Sequence, residues 1–171
     1  MAFAGLALLA GCSSVPDSFP VPPQRRDAPA PRYSHLRSFV SMSDWDAAEY
    51  LVQDVSAHAG DNTWRWTFRH PGLRFYLTST ERLKFVMDFA IAERTFEQTG
   101  PVILAIFVNG KLLERKRCQQ PGPHHLEYAV PPVMLRPNAV NNVRIEADKV
   151  WISPADGTAL GFILVRAGFT N

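Results

Sequence analysis

From Thr63 onward, apolar and polar residues alternate with a period of two, as in strands whose successive side chains point to opposite faces. In residues 63–68, Trp64, Trp66 and Phe68 share one face and Arg65 and Thr67 the other, and the aromatic face has the spacing a core requires. Arg74 to Leu77 predicts a short strand of its own. In residues 83–92, Leu83, Phe85, Met87, Phe89 and Ile91 alternate with Lys84, Val86, Asp88 and Ala90. Residues 102–108, VILAIFV, are apolar on both faces, the pattern of a central strand. Asn109-Gly110 follows at once and suits the two positive-φ positions of a type I′ turn, which predicts a hairpin into Lys111-Leu112-Leu113. Further strands are expected at 126–130, 142–147, 150–152 and 160–167, punctuated by Pro121-Gly122-Pro123, Pro131-Pro132 and Pro137-Asn138. Ahead of them, Ser43 with Asp46 three residues on predicts the N-cap and acidic first turn of a short helix; an irregular edge segment is the alternative. About eight or nine short strands in roughly 130 residues, with at most one short N-terminal helix, predict an all-β fold: an antiparallel β-sandwich of jelly-roll type.

The chain begins differently. Residues 2–10 are apolar or small, too short at about 1.5 Å per helical residue to cross a hydrocarbon core of about 30 Å. They have the length of a signal-peptide apolar region. The run ends in Leu9-Ala10-Gly11-Cys12, which resembles the bacterial lipobox: a leucine, two small residues that let the backbone enter a protease site, and a cysteine whose thiol takes a diacylglyceryl group. The resemblance implies that residues 1–11 are a lipoprotein signal peptide and that Cys12 is the lipidated first residue of the mature protein. In Gram-negative lipoproteins an Asp after that cysteine signals inner-membrane retention. Ser13 stands there, implying an outer-membrane anchor facing the periplasm or the surface. Several acyl chains anchor firmly, at about 0.8 kcal/mol per buried CH₂.

Within residues 12–32, the stretch from Ser13 to Arg32 has prolines at 16, 20, 22, 23, 29 and 31. Proline removes donors and favours extended polyproline II, so this segment is expected to be a semi-rigid tether, roughly 60 Å long at about 3.1 Å per residue. Residues 33–171 are then the β-sandwich domain.

Composition narrows the partners. The formal net charge of +2 gives no reason to expect nucleic acid, and Arg115-Lys116-Arg117 reads as a solvated strand end. Cys12 and Cys118 are the two cysteines; with Cys12 acylated, Cys118 has no partner in the chain and reads as a small buried hydrophobe.

A family resemblance then becomes visible over about residues 40–170. Its elements are Trp45 with Glu49, Trp64-Arg65-Trp66, Val108-Asn109-Gly110, Pro121-Gly122, Val130-Pro131, and Asp156 followed by Leu160-Gly161. In this order they resemble the galactose-binding-like jelly-roll modules that accompany bacterial glycosyltransferases and other cell-envelope glycan proteins. Such modules often carry an Arg two residues after the Asp of the last motif, where Thr158 stands here.

No nucleophile elbow, zinc-protease helix, P-loop or dinucleotide fingerprint is present, and no cofactor or metal site is expected. His124-His125 would point to opposite sides of a strand and read as turn surface. Asp44, Asp46 and Glu49 supply three carboxylates where a calcium site needs six or more oxygens, so capping and solvation explain them. Exposed tryptophans can stack on the C–H faces of sugars while Asp, Glu, Asn and Arg bond the hydroxyls. Trp45, Glu49, Trp64 and Asp156 are therefore the ligand-binding candidates; Trp45 and Trp151, near segment ends, are the better prospects for exposure, and Trp66 is expected in the core. The expected role is a lipid-anchored envelope protein, not an enzyme, whose partners are the membrane through Cys12 and a polysaccharide. A structural lipoprotein docking an envelope protein is the alternative, and a small glycan hydrolase the third.

Overall fold

The computed structural model describes residues 35–171, so Cys12 and the segments expected to be a signal peptide and a tether lie outside the described residues. In chain order the strands are β1 (Phe39–Ser41), β2 (Leu51–Gly60), β3 (Trp64–Leu77), β4 (Lys84–Ile91), β5 (Val102–Val108), β6 (Lys111–Cys118), β7 (Gly122–Ala129), β8 (Ala139–Ala147), β9 (Trp151–Ile152), β10 (Ala159–Leu160) and β11 (Ile163–Thr170). All pairings are antiparallel.

The ladders form two layers of a β-sandwich, joined through β3. Sheet A runs β7–β4–β11; the far side of β11 is shared between β1 and the first residues of β3. Sheet B runs β6–β5–β8–β3–β2 and uses the last residues of β3. Phe75 of β3 meets Phe169 of β11 edge to face at 5.6 Å, one contact that closes the layers over a common core.

Two strands follow the sequence pattern directly. Leu83, Phe85, Met87, Phe89 and Ile91 are buried in that core, as are Val102, Leu104, Ile106 and Val108 of β5. The latter strand is central, between β6 and β8. Asn109 and Gly110 take φ of 49° and 83°, the positive pair the hairpin needs. Cys118 is buried, and burial raises its thiol to about 11.

Four local expectations are corrected. Arg74 to Leu77 is not a separate strand, because β3 runs unbroken through Pro71. Pro71 is tolerated since β3 changes neighbours there: it pairs with β11 through Arg65 and Trp66 and with β8 only from Gly72, so no ladder donor is missed. Ser43 caps no helix; its hydroxyl bonds Ser41, Asp44 accepts from Ser41 N and from Arg37, Asp46 is held by Arg37, and a 3-10 turn starts later, at Ala47–Tyr50, with no side-chain cap. The one α-helix among the described residues, α1 (Glu93–Thr99), lies mid-chain between β4 and β5.

The fourth correction matters most for function. In residues 64–68 the period is right and the phase is inverted. Arg65 and Thr67 face inward and are buried, while Trp64, Trp66 and Phe68 face outward and are half-buried. The inward polar groups are bonded, except that the buried Arg65 Nε has no partner. The Arg65 guanidinium donates to the main-chain carbonyls of Ser56 (3.1 Å) and Ala57, where β2 bulges. The Thr67 hydroxyl donates to Phe162 O at 2.8 Å and accepts from Phe162 N at 3.1 Å. Burial of bonded polar groups carries little penalty, so these bonds offset most of the cost of keeping the tryptophans outside.

Candidate functional site

The register of sheet A builds a continuous outward face. Ala90 of β4 pairs with Pro123 of β7 on one side and Ile163 of β11 on the other, and Ile163 pairs with Trp66 of β3. Paired residues share a face, so Trp66, Ile163, Ala90 and Pro123 form one apolar row across four strands, roughly 14 Å at about 4.8 Å per strand. Trp64 sits beside the row, edge to face with Trp66 at 6.0 Å. Its indole occupies the space over Gly60, where an added Cβ would lie 2.1 Å from the ring.

A polar row runs alongside. Arg166, Asp88 and His125 are cross-strand neighbours on the same face. The two oxygens of Asp88 are divided between them: Oδ1 lies 2.5 Å from His125 Nδ1, and Oδ2 accepts from Arg166 Nε. Partial burial works against the Asp88 charge, but the hydrogen bonds from His125 and Arg166 outweigh it and hold the carboxyl below its ordinary value. The bulge between Leu164 and Arg166 brings Val165 to a shallow groove of about 460 Å³ shared with Asp88, Ala90, Pro123 and His125. The surface thus offers a flat apolar strip flanked by an acceptor and two donors. An apolar strip suits the C–H face of a sugar ring, and the polar row suits its hydroxyls.

None of the protein-family models searched matches this chain, and no curated protein matches it. Among solved structures, an acetyl xylan esterase from the rumen bacterium Butyrivibrio proteoclasticus overlaps 78% of this chain at 13% identity, with a TM-score of 0.48. This chain covers 32% of the esterase, about a third of its length. A family GH115 4-O-methyl-α-glucuronidase with specificity for decorated arabinogalactans overlaps 74% of this chain and 17% of its own, at 10% identity and a TM-score of 0.43. A family 35 carbohydrate-binding module from Clostridium thermocellum overlaps 80% of this chain and 90% of its own, at 10% identity and a TM-score of 0.39.

The four residues proposed from sequence lie on three separate segments. Trp64 belongs to the face just described. Trp45 is 91% exposed, in the turn between β1 and β2. Its neighbours Asp44 and Asp46 both accept from Arg37 at 2.9 Å, so these acids are tied into an ion-pair cluster. Glu49 is exposed, and its main-chain carbonyl takes Arg74 Nε at 2.7 Å. Asp156 builds the turn between β9 and β10: its carboxylate accepts from Thr158 N at 3.1 Å, and this bond, with the Thr158 hydroxyl, holds it below its ordinary value. Trp151 is half-buried beside Arg94, Gln98 and Pro154.

His124 and His125 do point to opposite faces, but from strand β7 and not from a turn. The His124 ring stacks on Phe89 at 5.2 Å, and only His125 reaches the outer face. Sequence reasoning missed Trp66, Asp88, Arg166 and His125 as site residues. The one available signal was the polar Asp88 inside an otherwise apolar strand; its partners come from strands far away in sequence. Among the described residues no three of His, Cys, Asp and Glu could hold a metal ion, and no helix is long and apolar enough to cross a membrane.

Proposed function

We propose that this protein is a non-catalytic glycan-binding module, held at the cell envelope by a lipid on Cys12, and that it binds through the outer face of sheet A. The carrying observation is the row Trp66–Ile163–Ala90–Pro123 laid beside Arg166–Asp88–His125. A sugar ring stacks on the Trp66 indole with the perpendicular Trp64 ring at its edge, Asp88 accepts from its hydroxyls, and Arg166 and His125 donate. A carboxylate held ionised by two donors is a poor general acid near neutral pH, which favours binding over hydrolysis at this face.

The test is titration of the full chain with neutral polysaccharides from the envelope of its source cell. Saturable binding that Trp66→Ala weakens at least about tenfold, with the variant still folded, is the expected result. Absence of binding, or binding indifferent to both Trp64→Ala and Trp66→Ala, sinks the reading. The anchor is tested separately: mass spectrometry of membrane-extracted protein should find an acylated Cys12 as first residue, and Cys12→Ser should move the protein to the soluble fraction.

A further inference from the structure

Sheet B carries a different surface on its outer side. Arg115 and Arg117 of β6 pair with Ala105 and Ile103 of β5, and Ala105 pairs in turn with Glu146 of β8. The core-facing residues of β5 are Val102, Leu104, Ile106 and Val108, so Ile103 and Ala105 face outward. They floor a groove of about 250 Å³ with Arg115 on one side and Arg69, Glu146 and Asp148 on the other. The charges do not cancel. Glu146 is neutralised by Arg144 at 3.0 Å, and Asp148 Oδ1 already accepts from Ile103 N at 2.7 Å. Arg69 reaches only the main-chain oxygen of Asp148, at 3.4 Å. Among the described residues no side chain pairs with the guanidinium of Arg115 or Arg117. Cations on an edge strand discourage strand-to-strand aggregation, which accounts for residues 115–117. It does not account for Arg69, which stands across the floor on β3.

We propose that this groove is a second binding site, for an acidic polysaccharide, on the opposite layer of the sandwich from the aromatic face. Guanidinium groups match carboxylates in planar, two-pronged contacts, and Arg115 and Arg117, two residues apart on one face, stand about 6.8 Å from each other along the strand. Glu146 and Asp148 add acceptors beside the cations. Their free carboxylate oxygens accept hydrogen bonds from hydroxyls set between a ligand's carboxylates. A ligand that alternates anionic groups with hydroxyls fits both sets of residues.

The probe is polygalacturonate, a uronate polymer, titrated into the full chain. Binding is expected to weaken at least about tenfold in Arg115→Ala/Arg117→Ala and several-fold in Arg69→Ala, all at exposed side chains. It is also expected to fade at about 1 M salt, where the screening length falls to about 3 Å. Neutral-polymer binding at sheet A should be untouched in these variants, so this site stands or falls apart from that one. No binding of polygalacturonate overturns the proposal. So does binding that survives the double variant, or that is lost in Trp66→Ala instead. Phosphatidylglycerol vesicles captured with the same variant dependence would assign the groove to a lipid surface and overturn it as well.

Discussion

Strand β4 and the first residues of β3 belong to the same sheet, alternate with the same period, and bury opposite kinds of residue. In β4 the phenyl rings of Phe85 and Phe89 are inside and Asp88 is outside. In β3 Arg65 and Thr67 are inside, and Trp64 and Trp66 are outside. Alternation therefore identifies two faces and leaves open which one is covered. What decides is the supply of partners. Inside, irregular β2 offers carbonyls to Arg65, and Phe162, just ahead of β11, offers both an N–H and a C=O to Thr67. Outside, each tryptophan shelters the other, and both leave surface open to a ligand. The strand that broke the expected packing is the one that carries the candidate site, as expected where function competes with burial.

The largest effect should come from removing a side chain on the conventional side of this comparison. Phe89 is buried against Phe162 and His124, so Phe89→Ala should cost about 3–5 kcal/mol in denaturant unfolding. Trp66→Ala, a larger truncation in volume, should cost only about 1 kcal/mol. Equal costs would mean that Trp66 is a core residue after all. Next comes Thr67→Val, which keeps the shape and removes the hydroxyl. It leaves Phe162 N without that acceptor in a buried place and should cost about 1–3 kcal/mol; a neutral or stabilising outcome would show that the inverted phase does not depend on this bond.

The smallest effect concerns the polar row. The Asp88 carboxyl titrates below its unfolded value, so its contribution is present above the usual Asp range near 4 and is lost as pH falls through the lower folded value. Asp88→Asn should be less stable than the parent by about 1 kcal/mol or less at neutral pH, with the gap closing as acid protonates the parent's carboxylate. Thermal melts of the two proteins from neutral to strongly acidic pH check this, and a gap that widens in acid reverses the sign.

Much of the scaffold was legible. The core face of β4 follows from apolar spacing alone, because a regular strand with five consecutive alternating hydrophobes has only one plausible buried side, and the unbroken apolar run of β5 marks it as central without choosing its core face. The hairpin at Asn109-Gly110 follows from turn chemistry, since few residue pairs accept two positive φ angles. The site was less legible. Trp64 was within reach because an exposed aromatic is a known handle for sugars, yet Trp66 on the same face was assigned to the core. Asp88, His125 and Arg166 were out of reach as a group: Asp88 lies 37 residues from His125 and 78 from Arg166, and nothing local brings them together.

The amino-acid sequence by itself determined the all-β class, the hairpin, the core face of β4 and the central place of β5. These depend on periodicity and on conformational preferences that act over a few residues. Only the tertiary structure decided which side of β3 faces out and which residues of β4, β7 and β11 stand abreast. A period-two pattern is unchanged when its faces are exchanged, and cross-strand neighbours are set by strand order and register, which local sequence does not encode.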